Sequence, residues 1–229
     1  MYQGTWNLNY TSLFCRKPVG HFSLSIVKES IPFIVVPLIL AIVSVALGFW
    51  WLFALLFFLA LFMAFFFRDP QRDPPSDPGV VVSPADGRVT RIERVAPDQN
   101  DSPTVVSIFL SPFDVHINRS PIQGTITDVV YAPGRFLMAT NERASLVNEQ
   151  NILTIQGEKI TVVCKQIAGI LARRVVCWKK KGDNLSLGER FGLIKFSSRT
   201  DLILPSNVSI SVSKGERVRG GTTVIGRIS

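Results

Sequence analysis

The longest uncharged stretch of this chain reads SIPFIVVPLILAIVSVALGFWWLFALLFFLALFMAFFF, from Ser30 to Phe67. A membrane-spanning helix needs about 20 apolar residues, so the stretch is nearly two spans long. It is also too long for the core of a signal peptide, which has about 7–15 residues. The stretch therefore predicts an apolar helical part that is distinct from the rest of the chain.

Gly48 is the most plausible point at which this stretch divides, because Trp50 and Trp51 beside it suit a turn at a membrane interface. Two helices follow, Ile31 to Leu47 and Phe49 to Phe67. The alternatives are one long tilted helix or a buried pair of core helices. Both outer ends are flanked by basic residues, which by the positive-inside tendency lie on the cytoplasmic side: Arg16, Lys17, Lys28, Arg68 and Arg72. A helical hairpin in the cell (inner) membrane satisfies this pattern, whereas a single span does not.

The chain divides into four predicted parts. Residues 1–29 form an N-terminal leader, and residues 30–68 form the membrane hairpin. Residues 69–79 are a proline-rich linker, which we expect to be extended and to separate the membrane part from the rest. Residues 80–229 form a β-rich domain.

Short runs rich in Val, Ile, Thr and Phe recur between turn residues in this last part, which predicts a mostly β sandwich or barrel. The stretch Ala139–Gln150 is the most helix-compatible, with Asn141 as N-cap and Glu142 in the first turn. The predicted strands are Val80–Val82, Arg88–Val95, Thr104–Leu110, Gly124–Tyr131, Asn151–Gln156, Lys159–Ile167, Val175–Trp178, Arg190–Lys195, Ser209–Val212 and Thr223–Ile228.

Charge and cysteine content narrow the partners and the compartment. The net charge is +8, which suits either nucleic acid or an anionic membrane leaflet. With a membrane hairpin present the leaflet fits better, and basic residues at 173–174 and 179–181 flank the aromatic Trp178. Three cysteines, Cys15, Cys164 and Cys177, form no close pair, which argues against a disulfide framework and a zinc site. We expect reduced thiols, a β-rich domain on the cytoplasmic side, no metal and no nucleic-acid partner.

Three further segments carry candidate chemistry. Ser83-Pro-Ala-Asp-Gly87 centres on Asp86, and Phe109-Leu-Ser-Pro-Phe-Asp-Val-His-Ile-Asn-Arg-Ser-Pro121 contains His116. Phe191-Gly-Leu-Ile-Lys-Phe-Ser-Ser-Arg-Thr-Asp-Leu-Ile-Leu-Pro205 holds the adjacent serines Ser197 and Ser198. In this order, after an apolar hairpin, the segments resemble those of the phosphatidylserine decarboxylase proenzymes, in their short, pyruvoyl-dependent form.

The resemblance implies self-cleavage between Ser197 and Ser198. Ser198 would attack the carbonyl of Ser197, with His116 as base and Asp86 holding His116 in a Ser-His-Asp arrangement. Ser198 would become a pyruvoyl group that forms a Schiff base with the substrate amine and acts as electron sink, so that no external cofactor is needed. His116 would also be suited to protonate the carbanion.

The chain departs from the family at two positions. The family usually has glycine where Ser197 stands, and a side chain at positive φ costs about 1–2 kcal/mol, so we expect slower processing. Longer relatives carry a second histidine where this chain has Arg119. His116 would then serve both steps, unless water or another group performs one. Arg199 could contact a substrate headgroup or pair with Asp201.

The stretch Val212–Ile228 looks like the hammerhead strand pairs of lipoyl-type domains, with Pro84–Val89 as the opposing strand. The favoured function is conversion of phosphatidylserine to phosphatidylethanolamine at an anionic membrane, by two cleavage chains that form a heterodimer. One alternative is a decarboxylase of an ether-linked serine phospholipid. The other is an unprocessed, non-catalytic membrane or lipid-binding module.

Overall fold

The computed structural model describes residues 25–99, 101–139, 141, 143–170, 175–195 and 198–229. A short 3-10 helix, Lys28–Ser30, leads into helix α1, Ile31–Ala46, and helix α2 follows as Trp50–Phe66. Gly48 lies between α1 and α2 with φ +80°, a conformation that glycine adopts at little cost. The apolar stretch therefore divides where the sequence predicts, and one long helix is excluded.

Helices α1 and α2 pack against each other and leave most of their apolar side chains exposed. The buried residues are Ala41 and Ser44 in α1, and Ala60 and Phe66 in α2. The segment Lys28–Ala46 is long and apolar enough to cross a membrane by length and composition, and Trp50–Phe66 is a shorter apolar helix. Neither helix is covered in the way that a core helix of a globular domain is covered.

Strands dominate the rest of the described chain and pair antiparallel. The strands are β1 Ser25–Ile26, β2 Arg68–Asp69, β3 Val80–Val82, β4 Gly87–Arg94, β5 Thr104–Leu110, β6 Ile117–Arg119, β7 Gly124–Ala132, β8 Gln150–Gln156, β9 Thr161–Ile167, β10 Val175–Cys177, β11 Asn184–Leu185, β12 Arg190–Ile194, β13 Ser198–Leu204, β14 Val208–Ile210, β15 Arg217–Val218 and β16 Val224–Ile228. The prediction of a mostly β domain is confirmed.

One eight-stranded sheet, in the order β11-β7-β8-β9-β13-β5-β4-β15, organises this domain. Two three-stranded sheets, β10-β12-β6 and β14-β16-β3, supply further residues to the main core. This core contains Val106, Ile108, Leu153, Val162 and Leu202, on the central strands, and Cys164 is buried among them. Strand β15 pairs with the start of β4, which lies in the Pro84–Val89 segment that the sequence places opposite the C-terminal strands.

Strand β13, which begins at Ser198, is the central strand that the sequence did not predict. It lies between β9 and β5 and is buried along almost its whole length. Its first four residues are all polar, so this half lacks the alternation of apolar and polar residues that predicts a strand. That half is buried because Arg199 and Asp201 satisfy each other's charges within the same strand.

The helix predicted over Ala139–Gln150 is much shorter in the structure. Helix α3 covers only Ala144–Val147, and Arg143 rather than Asn141 is its N-cap. Asn148 ends it, because its side chain bonds to both backbone groups of Leu137 and to the carbonyl of Ala168. Glu142 lies outside the described residues.

The register defines two ends of the large sheet. One row runs across Arg88, Phe109, Arg199, Ile167 and Gln150. Ser198 lies immediately beyond this row, and we call this end of the sheet the Ser198 end. The loops 111–116, 133–149 and 168–174 emerge there, whereas the loops 95–103, 157–160 and 205–207 emerge at the opposite end, which we call the far end.

Candidate active site

The three segments singled out in the sequence meet at the Ser198 end. Asp86 directly precedes β4, His116 directly precedes β6 in the loop that follows β5, and Ser198 opens β13. Strands β4 and β13 both flank β5, so they are separated by about 10 Å, twice the spacing of neighbouring strands. The fold therefore gathers at one edge residues that lie far apart in the sequence.

Ser198 is completely buried and pairs with Leu110 of β5. Its hydroxyl oxygen has no hydrogen-bond partner among the described residues. A buried hydroxyl without a partner is costly, and such groups are uncommon in folded proteins. An unpaired nucleophile at the first position of a central strand is a feature that packing alone does not require.

His116 is the second buried group with an unpaired atom. Its Nδ1 lies 2.9 Å from the backbone carbonyl oxygen of Asp114. Because a carbonyl only accepts, Nδ1 carries the proton and Nε2 keeps its lone pair. Nε2 is buried and has no partner among the described residues.

Burial lowers the pKa of His116 to about 4, although the Asp114 carbonyl acts in the opposite direction. The charged imidazolium is disfavoured there because little water can reach it. His116 is therefore neutral at pH 7, with Nε2 available to accept a proton. This is the protonation state that a general base requires.

A hydrogen bond between Asn118 and Thr200 fixes the strands of His116 and Ser198 against each other. Asn118 Nδ2 donates to Thr200 Oγ1 at 3.0 Å. Side chains two residues apart lie on the same face of a strand, so His116 and Ser198 lie on the faces that carry this bonded pair. The amide of Ile194 also donates to the His116 carbonyl, four residues before Ser198.

Asn118 belongs to a buried chain of amide side chains that the sequence analysis missed. Asn151 donates to Gln166 at 3.0 Å, and Gln166 donates to Asn118 at 2.8 Å. With Thr200, this amide network joins β8, β9, β6 and β13 directly beneath the two unpaired groups. The available signal was a polar residue inside an apolar strand, such as Gln166 at the end of Thr161–Ile167.

The expected pairing of Asp86 with His116 is not present in this structure, because each residue has another partner. The two carboxylate oxygens of Asp86 accept from Arg72 Nη2 and from the Gly220 amide, both at 2.7 Å. Burial raises the pKa of Asp86, and Arg72 and the Gly220 amide counteract this shift. The carbonyl of Asp114 occupies the orienting position beside His116 instead, and the sequence analysis did not single out Asp114.

Arg119 secures the predicted linker to the domain. It donates to Asp69 at 3.0 Å, to the Pro70 carbonyl at 2.8 Å and to the Gly188 carbonyl at 3.2 Å. Asp69 also pairs with Arg190 at 2.8 Å. Burial raises the pKa of Asp69 despite these two arginines. The first residues of the linker are therefore part of the packed domain and do not act as a free spacer.

Arg199 forms the salt bridge with Asp201 that was one of its two expected roles. Its Nε and Nη2 donate to the two carboxylate oxygens at 2.6 and 2.8 Å, and both side chains are buried. This bidentate pairing occupies the two N–H groups with which Arg199 would otherwise bind a substrate headgroup. Ser197, the other residue of the predicted cleavage site, lies outside the described residues.

The ends of α1 and α2 that face the domain, which we call the helix base, contact the site directly. The ring of Phe66 lies 4.3 Å from that of His116, centroid to centroid. Phe66 and Phe67 form a buried cluster with Val115, Ile117 and Leu193. Trp178 Nε1 donates to Glu29 at 2.7 Å just before α1, which places this aromatic residue at the helix base as well. The apolar helices thus supply one wall of the candidate site.

Comparison with known proteins gives the family. Residues 59–226 match the family model described as phosphatidylserine decarboxylase, and this range includes Asp86, His116 and Ser198. The chain is 50% identical over 148 residues to a phosphatidylserine decarboxylase proenzyme of Solibacter usitatus, covering 65% of this chain and 70% of that protein. It is 46% identical over 149 residues to the protein of that name from Chlorobium phaeobacteroides strain BS1, with the same coverage. These matches, together with the meeting of the three segments at one edge of the sheet, show that the chain belongs to the phosphatidylserine decarboxylase family.

Proposed function

We propose that this protein is a self-processing, pyruvoyl-dependent decarboxylase that converts phosphatidylserine to phosphatidylethanolamine. Family membership supports the reaction. The observation that carries the assignment within this chain is the pair of buried, unpaired atoms, Ser198 Oγ and His116 Nε2. A nucleophile and a neutral base at one sheet edge are the groups that serine-driven self-cleavage requires.

Self-cleavage uses groups of this chain alone. His116 Nε2 takes the proton of Ser198 Oγ as the oxygen attacks the carbonyl carbon of Ser197. The C–N bond between the two residues breaks, the amine of Ser198 takes up a proton, and an ester joins Ser197 to the Ser198 side chain. Loss of the Cα proton of Ser198 then breaks its Cβ–O bond. One chain ends at the carboxylate of Ser197, and the other begins with a dehydroalanine at position 198, which water converts to pyruvoyl with release of ammonia.

The pyruvoyl group supplies the electron sink that decarboxylation of an amino acid needs and that no ordinary side chain provides. Residue 198 is suited to carry it, because the start of β13 is buried and excludes bulk water. Asn118 bonds to Thr200 and to Gln166 and so ties β6 to β13 and β9, which would keep His116 near residue 198 in both steps. A pKa of about 4 favours the base role of His116 and leaves little imidazolium at neutral pH for the acid role.

We also propose that helices α1 and α2 form a hairpin that anchors the protein in the inner membrane. The basic residues Lys28, Arg68 and Arg72 flank the helix base, which favours a cytoplasmic position for the catalytic domain. The two chains made by cleavage remain together as a heterodimer, because β13 pairs with β5 and β9 on either side. The pairing of β15 with β4 supports a lipoyl-like hammerhead near the C-terminal residues.

Intact-mass analysis of the purified protein in detergent tests this function. We expect two chains split between Ser197 and Ser198, with a pyruvoyl mass at the new N-terminus, and release of carbon dioxide from phosphatidylserine. Ser198→Ala should give one folded, inactive chain, whereas Ser206→Ala at the far end should process normally. A stable single chain from the parent sequence would favour the non-catalytic lipid-binding alternative, and normal cleavage of Ser198→Ala would exclude the assigned nucleophile.

Ser197→Gly tests the departure from the family. Glycine adopts positive φ without the clash that a Cβ introduces, so the variant should process at least as fast as the parent. A time course of chain cleavage after a pulse of synthesis measures this rate. Clearly slower cleavage of the glycine variant would mean that the Ser197 side chain assists processing.

A further inference from the structure

We propose that the loops at the Ser198 end form a second membrane contact, in which exposed apolar side chains enter the anionic bilayer surface around the active site. We call this contact the docking rim and define it by Phe113, Met138 and Ile170. The proposal rests on the proposed function, because it says how a lipid substrate reaches residue 198. It assigns a role to loops that lie outside the helices.

The docking rim consists of large apolar side chains that the fold does not cover. The exposed fractions are 68% for Phe113, 60% for Met138 and 55% for Ile170. They lie on three different loops, 111–116, 133–149 and 168–174, which leave the sheet at the same end. Single exposed apolar residues are ordinary, whereas a group that shares one edge is typical of an interaction surface.

The far end shows that this grouping does not follow from the fold. Its loops come from the same strands, yet among the described residues they expose one large apolar side chain, Val95. They carry Asp98, Asp101 and Glu158 against a single basic residue, Lys159. An acidic, polar edge of this kind is repelled by an anionic leaflet, so only the Ser198 end suits that surface.

The docking rim is continuous with the helix base. Arg68, which follows α2, donates through Nη2 to the carbonyl of Phe113 at 2.7 Å. The ammonium of Lys195 lies 5.1 Å from the ring centroid of Phe33 near the start of α1. Helices that span a bilayer therefore bring this edge of the sheet to the level of the headgroups. The occupant that fits this geometry is the same membrane and not a separate protein.

Charge around the docking rim suits anionic lipid. The three loops carry four arginines against three acidic residues, and Arg135 is exposed on the loop that carries Met138. Basic residues close to an anionic leaflet favour association with it. Apolar side chains on loops that also carry arginine match the layered chemistry of a membrane surface, in which acyl chains lie beneath phosphates.

Depth-dependent fluorescence quenching tests the placement directly. The full chain, carrying Cys15→Ser and Cys177→Ser, is reconstituted in phosphatidylcholine vesicles with a minor fraction of phosphatidylglycerol. An environment-sensitive dye is attached at Met138→Cys or Ile170→Cys, and at Val95→Cys as the control of similar exposure at the far end. The buried Cys164 stays unlabelled, because burial raises the pKa of its thiol. We expect lipids with an acyl-chain quencher to quench the two rim positions several-fold more than position 95.

An activity measurement separates this inference from the proposed function. Met138→Asp combined with Ile170→Asp should leave self-cleavage complete and should lower decarboxylation of phosphatidylserine in bilayers about tenfold. Decarboxylation of a short-chain, monomeric phosphatidylserine should not change, and Val95→Asp should change neither activity. Absence of pyruvoyl in the parent would refute the proposed function itself, whatever the quenching shows.

Two results would overturn the docking rim in an active enzyme. One is equal, weak quenching at positions 95, 138 and 170. The other is cross-linking between rim cysteines of two molecules without quenching, because a second copy of the chain would then cover these loops. Equal loss of activity on bilayer and monomeric substrates would point to a folding defect of the aspartate variant and would also count against the proposal.

Discussion

The two ends of the large sheet are built from the same strands and differ in almost everything else. The Ser198 end holds buried ionic pairs, an amide network and two unpaired polar atoms, and it is joined to the apolar helices. The far end has short polar turns, such as the one where Ser206 bonds to Asp101 on the surface. The strands provide a rigid frame, and the residues of the candidate site lie at one edge of it.

Asp69→Ala should destabilise the protein far more than any single substitution in the far-end turns. It leaves Arg119 and Arg190 without their shared carboxylate, and loss of one partner of a buried ion pair costs about 3–5 kcal/mol. Asp101→Ala at the far end should change the unfolding free energy by less than about 0.5 kcal/mol. Chemical denaturation of both variants in detergent measures the difference. Similar losses for the two would mean that the linker is not held by the domain.

Acid should lower the free energy of unfolding through His116, which lies at the Ser198 end. Its pKa is about 4 in the folded protein, against about 6.5 when unfolded. Between these values the unfolded state binds more protons, so stability decreases as pH falls from 6.5 towards 4, by up to about 3 kcal/mol. The far end has no histidine among its described residues and lacks this contribution.

Paired unfolding curves at pH 7 and pH 5 isolate this contribution. They compare the uncleaved Ser198→Ala protein with the same protein carrying His116→Gln. The glutamine variant should lose less stability on acidification than the protein that keeps His116. Equal losses in the two would mean that water reaches the imidazole and that its pKa is close to the ordinary value.

Asn118→Ala should produce a smaller loss, about 1–3 kcal/mol, because Gln166 Nε2 and Thr200 Oγ1 would be left buried without this partner. Self-cleavage should slow more than the loss of stability alone explains, because the side-chain bond that ties β6 to β13 is lost. Asn207→Ala in the far-end turn is the matched control and should change neither property. Normal cleavage kinetics in the Asn118 variant would remove the amide network from the positioning of His116.

The sequence predicts the parts of this protein that depend on local pattern. Division of the apolar stretch at Gly48 and most strands follow from hydrophobic periodicity and turn residues. Strand β13 does not, because burial of Arg199 and Asp201 depends on their mutual pairing. The contact of Asp114 with His116 uses a backbone carbonyl, which no side-chain motif can indicate. Likewise, Asp86 pairs with Arg72 because the linker folds back onto the domain.

If α1 and α2 anchor the protein as proposed, the ring of Phe66 against His116 makes this anchor part of the proposed catalytic site as well. Cutting the protein before Arg68 to make it water-soluble would remove the cover over the imidazole. Hydration would then stabilise the imidazolium, and the fraction of neutral base would decrease in mildly acidic solution. Replacing α1 and α2 with an unrelated transmembrane anchor would restore attachment without restoring this cover. Engineering a soluble form therefore calls for a substitute aromatic wall as well as a shorter chain.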